Sequence, residues 1–105
     1  MEIIETPIFT RRIKDVLSDD EYSKLQWALV INPESGEVIP GGKGLRKLRW
    51  AIPGKGKRGG LRIIYYWYTR DEKIYILFPY KKSEQEDLTK EQIKMLSEYV
   101  KEGVL

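Results

Sequence analysis

The run LRIIYYWYT, Leu61 to Thr69, constrains the fold more than any other stretch of this 105-residue chain. All its residues but Arg62 and Thr69 are aliphatic or aromatic, so a strand built from it is apolar on both faces. Such a strand is central and covered on both sides. On its N-terminal side Leu48, Trp50 and Ile52 alternate with Lys47, Arg49 and Ala51, which predicts a strand with one apolar and one basic face. On its C-terminal side the polar link Arg70–Lys73 leads into another strand, Ile74 to Tyr80. Three successive strands with such links form an antiparallel meander.

The cover comes from helices. Glu2 to Glu5 reads as an opening strand, after which Thr6-Pro7 supplies an N-cap and a proline at the first helical position. Phe9, Ile13, Val16 and Leu17 follow at helical spacing, so a short helix is predicted to about Leu17. Ser18 and Glu21 form a capping box for a second helix, with Tyr22, Leu25, Ala28 and Leu29 inward, ending before Asn32-Pro33. Asn32 to Gly44 reads as a connecting loop. Lys81 to Asp87 is highly charged and fits a single helical turn. Thr89 with Gln92 caps a last helix, Leu88 to Glu102, whose Ile93, Leu96, Tyr99 and Val100 make an apolar stripe, with Gly103 as a stop. The expected fold class is α+β: an N-terminal strand and helical hairpin packed on a mostly antiparallel sheet, then a C-terminal helix. The length fits a single domain over residues 1–105.

Composition removes several kinds of chemistry. With no cysteine there is no disulfide and no thiolate metal site, and with no histidine the commonest metal ligand and general base is missing. No metal and no cofactor is expected. The N-terminus lacks the order of a secretion signal and no run approaches a membrane span, so the expected location is the cytoplasm, without membrane contact.

Charge is placed unevenly. The net charge is +3, yet Val38 to Arg70 holds nine Lys/Arg and no acid, leaving ten bases against all sixteen acids elsewhere, a net of −6. A basic middle in an acidic frame fits a nucleic-acid site, and a merely solvated basic face gives the same count. The loop Gly54-Lys-Gly-Lys-Arg-Gly59 matches the dinucleotide pattern G-x-G-x-x-G, but it opens into a β-rich strand with no helix to receive a pyrophosphate. That match is rejected. Glycines there allow close backbone approach while Lys55, Lys57 and Arg58 supply charge. In a meander this loop, Arg62 and the end of the last strand, Tyr80 and Lys82, share one sheet edge. Tyr80 either offers a ring for base stacking or is a half-buried strand-end tyrosine. Glu84 and Asp87 fit as partners that hold Lys82.

These residues carry a resemblance. LRKLRWAIPGKGKRGGLRIIYYWY, followed by Tyr80-x-Lys82-x-Glu84-x-x-Asp87-Leu88, resembles the HigB-type branch of the RelE/ParE toxin superfamily over about half the chain. The resemblance implies a RelE-like fold and the toxin of a type II toxin–antitoxin pair. Such a toxin cleaves mRNA in the ribosomal A site and is neutralised by a cognate antitoxin, here of HigA type with a helix-turn-helix domain. The implied partners are therefore that antitoxin, the ribosome and mRNA. The family's active-site residues fall on Lys55, Lys57, Arg62 and Lys82, with Tyr80 as the aromatic member. Arg46, Lys47, Arg49 and Arg58 are expected to grip RNA phosphates.

RNA cleavage without histidine needs an activated 2′-hydroxyl, a stabilised phosphorane and a protonated 5′-oxygen. A lysine serves as base only where its pKa is lowered, as neighbouring cations do, and Lys55, Lys57 and Lys82 around one phosphate make such a cluster. Lys55 or Lys57 is the expected base, Arg62 the phosphorane partner, and Lys82 or Tyr80 the aid to the leaving group. Two other functions compete: a ParE-like inhibitor of DNA gyrase, which needs no such cluster, and a non-catalytic RNA- or ribosome-binding module.

Overall fold

The computed structural model describes residues 1–52 and 60–103. Their elements are β1 (Glu2–Glu5), α1 (Pro7–Ile13), α2 (Asp19–Ile31), β2 (Glu37–Val38), β3 (Leu45–Trp50), β4 (Leu61–Tyr68), β5 (Lys73–Lys81) and α3 (Lys90–Gly103). The sheet runs in the order β1-β5-β4-β3-β2; β1 is parallel to β5, and the other pairings are antiparallel. The expected α+β architecture is therefore present, with the Leu61 strand at its centre.

Both faces of β4 are covered, as its composition requires. Leu61, Ile63 and Tyr65 pack with Leu48, Ile74 and Ile76 under α1 and α2, where Phe9, Ile13, Leu25 and Leu29 are buried. Ile64 packs on the opposite face with Leu45, Leu77, Phe78, Tyr80, Leu88 and Val100, under α3. Glu5 ties the first layer together by accepting hydrogen bonds from the Thr10 and Tyr22 hydroxyls. Burial first, then that bond, raise the pKa of Tyr22.

Several boundaries differ from the sequence pattern. Helix α1 stops at Ile13 instead of running to Leu17. The N–H groups of Val16 and Leu17 both reach the Ile13 carbonyl, closing a tight turn that still buries Leu17. The Asn32–Gly44 loop contains a two-residue edge strand, β2, held on β3. Its approach is fixed by Tyr65, whose hydroxyl donates to the Pro33 carbonyl at 2.6 Å and accepts from the Gly36 N–H at 2.9 Å. Gly36 has no room for a side chain: a Cβ there would stand 2.7 Å from the Tyr65 ring. The caps form at Thr89–Gln92 in both directions, each bond 3.0 Å. At Ser18 the hydroxyl accepts from the Glu21 N–H at 3.2 Å, while the Glu21 carboxylate lies toward Lys24 at 3.9 Å.

One irregularity reorients a whole strand end. On β5, Ile76 stands opposite Tyr65 but Phe78 stands opposite Ile64, so Leu77 is an extra residue, a β-bulge. Strand side chains alternate in face, and one inserted residue inverts the alternation beyond it. Ile74 and Ile76 thus face the helical hairpin, whereas Phe78 and Tyr80 face α3. The bulge is anchored by Thr6. Its hydroxyl donates to the Leu77 carbonyl at 2.7 Å, accepts from the Phe9 N–H at 3.1 Å as the N-cap of α1, and is buried.

Candidate nucleic-acid interface

The face of the sheet under α3 carries the basic residues. Alternation along β3 places Lys47 and Arg49 there with Leu45, and puts Arg46 on the opposite face with Leu48 and Trp50. Register then sets Arg49 opposite Arg62, and Arg62 opposite Tyr80. Directly opposed residues have Cβ atoms about 4.5–5.5 Å apart, so Arg49, Arg62 and Tyr80 form one row across three strands. Helix α3 and Leu88 cover the Leu45–Ile64–Leu77 part of this face, leaving Arg49 exposed and Arg62 half-buried.

Among the described residues neither guanidinium of the row is neutralised. Among the described residues Arg49 and Arg62 have no carboxylate partner, and Arg62 donates only to the carbonyl of Leu61, at 3.4 Å. Lys47 is different: its ammonium lies 3.3 Å from Asp87, which also accepts the Leu88 N–H at 2.9 Å. That backbone bond first, and Lys47 after it, hold the Asp87 carboxyl below its ordinary pKa. The expected pairing of Asp87 with Lys82 is thus corrected. Asp87 reaches back forty positions to Lys47, and Glu84 accepts from the Lys81 N–H at 3.2 Å.

Tyr80 is buried, only 1% exposed, so its ring offers no open face for a base to stack on. Of the two readings of this residue, the structure is nearer the half-buried strand-end tyrosine but buries it more deeply than that. Its hydroxyl is the unusual part. It is buried with no hydrogen bond of full geometry among the described residues, and the Asp87 carboxylate is the acceptor that stands near it. Burial pushes the phenol up to about 12, Asp87 adding to the rise while Arg62 and Arg49 pull the other way. At neutral pH it keeps its proton, as an ordinary phenol does, and the rise makes it the weaker acid.

Arg46 stands apart from the Arg49–Arg62–Tyr80 row. Its Nη1 donates to the carbonyls of Gly36 at 2.9 Å and Glu34 at 3.3 Å, so it braces the β2 approach on the other side of the sheet. Lys82 is exposed just past β5, and its N–H donates to the Gly60 carbonyl at 3.0 Å. Since Trp50 pairs with Leu61, the end of β3, the start of β4 and Lys82 lie at one end of the sheet. Lys55, Lys57 and Arg58 belong to residues 53–59, outside the described residues.

Two features escaped the sequence pattern. Asp87 sits in a charged stretch where nothing local marks its distant partner. Arg12, on α1, places its guanidinium 4.7 Å from the centre of the Phe78 ring and donates to the Pro79 carbonyl at 3.3 Å. It borders a cleft of about 270 Å³ with Asp15, Lys81 and Glu84, a mixed-charge surface on the hairpin side. A larger groove of about 370 Å³ between α1 and α3, with Ile8, Leu77, Met95 and Tyr99 in its wall, is apolar and shares no residue with the basic row. Among the described residues no group of three or more acidic residues is gathered as a metal site, and no helix is long and apolar enough to cross a membrane.

Against known families, the model described as "RelE toxin of RelE / RelB toxin-antitoxin system" matches residues 1–104. That match spans the strands, the hairpin, the basic row and α3 together, beyond the half of the chain whose motifs carried the resemblance. The chain belongs to the RelE toxin family, whose members act as the toxin of a toxin–antitoxin pair and so imply an antitoxin partner.

Proposed function

We propose that this chain is a ribosome-dependent mRNA endoribonuclease of HigB type, cutting the message in the A site, with its cations in place of a metal ion. The observation that carries the reading is the Arg49–Arg62–Tyr80 row: two guanidiniums with no carboxylate partner among the described residues, beside a buried phenol, at the sheet end shared with Lys82. Guanidiniums in such a row match the negative charge on the non-bridging phosphate oxygens during in-line attack. The 2′-oxygen attacks the adjacent phosphorus, the bond to the 5′-oxygen breaks, and a 2′,3′-cyclic phosphate and a 5′-hydroxyl result. Arg62 stabilises the phosphorane. Lys55 or Lys57 takes the 2′-hydroxyl proton, and Lys82 or Tyr80 delivers one to the leaving 5′-oxygen. Lys47, Arg49 and Arg58 grip RNA phosphates or ribosomal RNA; an antitoxin of HigA type with a helix-turn-helix domain neutralises the toxin in the cytoplasm.

The test is mapping of mRNA ends on programmed ribosomes with wild type and the single variants Lys55→Ala, Lys57→Ala, Arg62→Ala and Lys82→Ala. Catalytic groups lose rate at saturating ribosome, about 10²-fold or more for Arg62. If all four variants cut within a few-fold of wild type, the assignment is wrong. Intact mRNA with DNA-damage signals on expression points to gyrase inhibition, and intact mRNA with tight, salt-sensitive ribosome binding to a non-catalytic module.

A further inference from the structure

The basic face contains an acid that phosphate binding gives no reason to keep. An Asp beside cations meant for phosphate lowers their pull on RNA, and the rest of Val38–Arg70 has no acid at all. Yet Asp87 lies over this face, 3.3 Å from Lys47, with its backbone fixed because Leu88 next to it is buried in the second core. Its carboxylate accepts the Leu88 N–H, so its position is set by the chain and not by the ammonium alone. The Lys47 side chain is held down to 19% exposure while Asp87 remains 67% exposed. Alongside is the buried Tyr80 hydroxyl, which makes no hydrogen bond of full geometry among the described residues, Asp87 being the acceptor near it. An unsatisfied buried hydroxyl costs stability, about 1–3 kcal/mol, and such a cost is often found where a group is kept for function.

We propose that Asp87 is the positioning residue of this face: its carboxylate fixes the Lys47 ammonium against the sheet and gives the Tyr80 hydroxyl an anionic neighbour beside the Arg49–Arg62–Tyr80 row. The proposal rests on the nuclease reading and deepens it. The groups that face the Tyr80 phenol are Asp87 from the β5–α3 link, Arg62 from β4 and Arg49 from β3. An RNA phosphate arriving on the two arginines competes with Asp87 for Lys47. Asp87 therefore weakens binding while orienting the groups that act after binding. Its removal separates the two effects.

Asp87→Asn is the informative variant, because the amide oxygen still accepts the Leu88 N–H while the charge disappears. Expected are ribosome binding as tight as wild type or tighter, turnover at saturating ribosome lower by about tenfold, and an unchanged urea midpoint. Asp87→Glu, which keeps the charge, stays nearer wild type in turnover. The second measurement uses the free chain: tyrosinate absorbance against pH, with Tyr80→Phe subtracted to isolate the Tyr80 step. In Asp87→Asn this step begins at lower pH, since removing a carboxylate eases loss of the phenol proton. A Tyr80 step unmoved by Asp87→Asn overturns the proposal, and so does a turnover equal to wild type when wild type cuts. A wild type that cuts nothing refutes the nuclease reading instead, and the titration still decides whether Asp87 acts on Tyr80.

Discussion

Replacing Thr6 with valine tests whether the bulge at Leu77 aims the candidate site. Valine keeps the β-branched shape and removes only the hydroxyl, which serves two buried groups at once. Loss of the N-cap of α1 costs about 0.5–2 kcal/mol. Leaving the buried Leu77 carbonyl without its donor costs about 1–3 kcal/mol. One hydroxyl supplies both, so the terms overlap, and a loss of about 2–4 kcal/mol is expected. For a domain of this size each kcal/mol lowers Tm by about 4–8 °C. Equilibrium unfolding in urea, followed by tryptophan fluorescence, measures the loss; Thr6→Ser, which keeps the hydroxyl, recovers most of it. The functional arm is cleavage on programmed ribosomes. A bulge without its anchor no longer holds Phe78 and Tyr80 on the Arg62 face, so Thr6→Val loses cleavage at temperatures where it is still folded. A stability loss under about 1 kcal/mol, with Thr6→Ser no better than Thr6→Val, refutes the reasoning, since it means water satisfies the carbonyl and the bulge persists unaided.

Two further expectations follow from the two sides of the sheet and from the buried phenol. Arg46→Met lowers the urea midpoint, as loss of its bonds to the Gly36 and Glu34 carbonyls removes about 1–2 kcal/mol, and leaves the salt dependence of RNA binding unchanged. Arg49→Met does the opposite, reducing the slope of log K against log salt by about 0.7 if one single-strand phosphate contact is lost; a larger slope change for Arg46→Met than for Arg49→Met rules out the assignment of faces. Tyr80→Phe removes a buried hydroxyl that makes no hydrogen bond of full geometry among the described residues, so stability at neutral pH is unchanged or higher while cleavage falls. The pH dependence has a definite sign: the folded phenol is raised to about 12 against an ordinary value of 10.0, so above pH 10 the unfolded chain loses the proton first. The Tyr80 contribution to stability is fully present below that pH and is lost as pH climbs toward about 12. Tyr80→Phe should show a shallower alkaline loss than wild type in urea midpoints measured across that range. An equally steep loss would show that Tyr80 does not titrate as its surroundings require.

Much of the fold is legible along the chain because local chemistry and burial agree there. Thr6-Pro7, Ser18 and Thr89 mark helix starts that the hydrogen bonds confirm. The two apolar faces of Leu61–Tyr68 require two layers of cover, and two are present. Period two along Leu45–Trp50 separates Lys47 and Arg49 from Leu48 and Trp50, and by the same parity it sends Arg46 to the other face. Charge count alone groups all three. Arg62 stands where the meander requires, between Arg49 and Tyr80.

Other features were decided only when the strands met. Without the extra residue at Leu77, Tyr80 shares a face with Ile74 and Ile76 and lies under the helical hairpin, away from Arg62. A bulge is one residue out of register, and Lys73–Lys81 has no glycine or polar break to announce it. What holds it open is a hydroxyl seventy-one positions away, at Thr6. The partner of Asp87 is similarly remote, and an apparent neighbour in sequence, Lys82, is not the one it meets. Sequence by itself determined which elements form and which cations face the same way, because propensity, capping and alternation act over a few residues. The tertiary structure decided which phenol joins those cations and which acid restrains them, because register and long-range hydrogen bonds exist only between elements already packed.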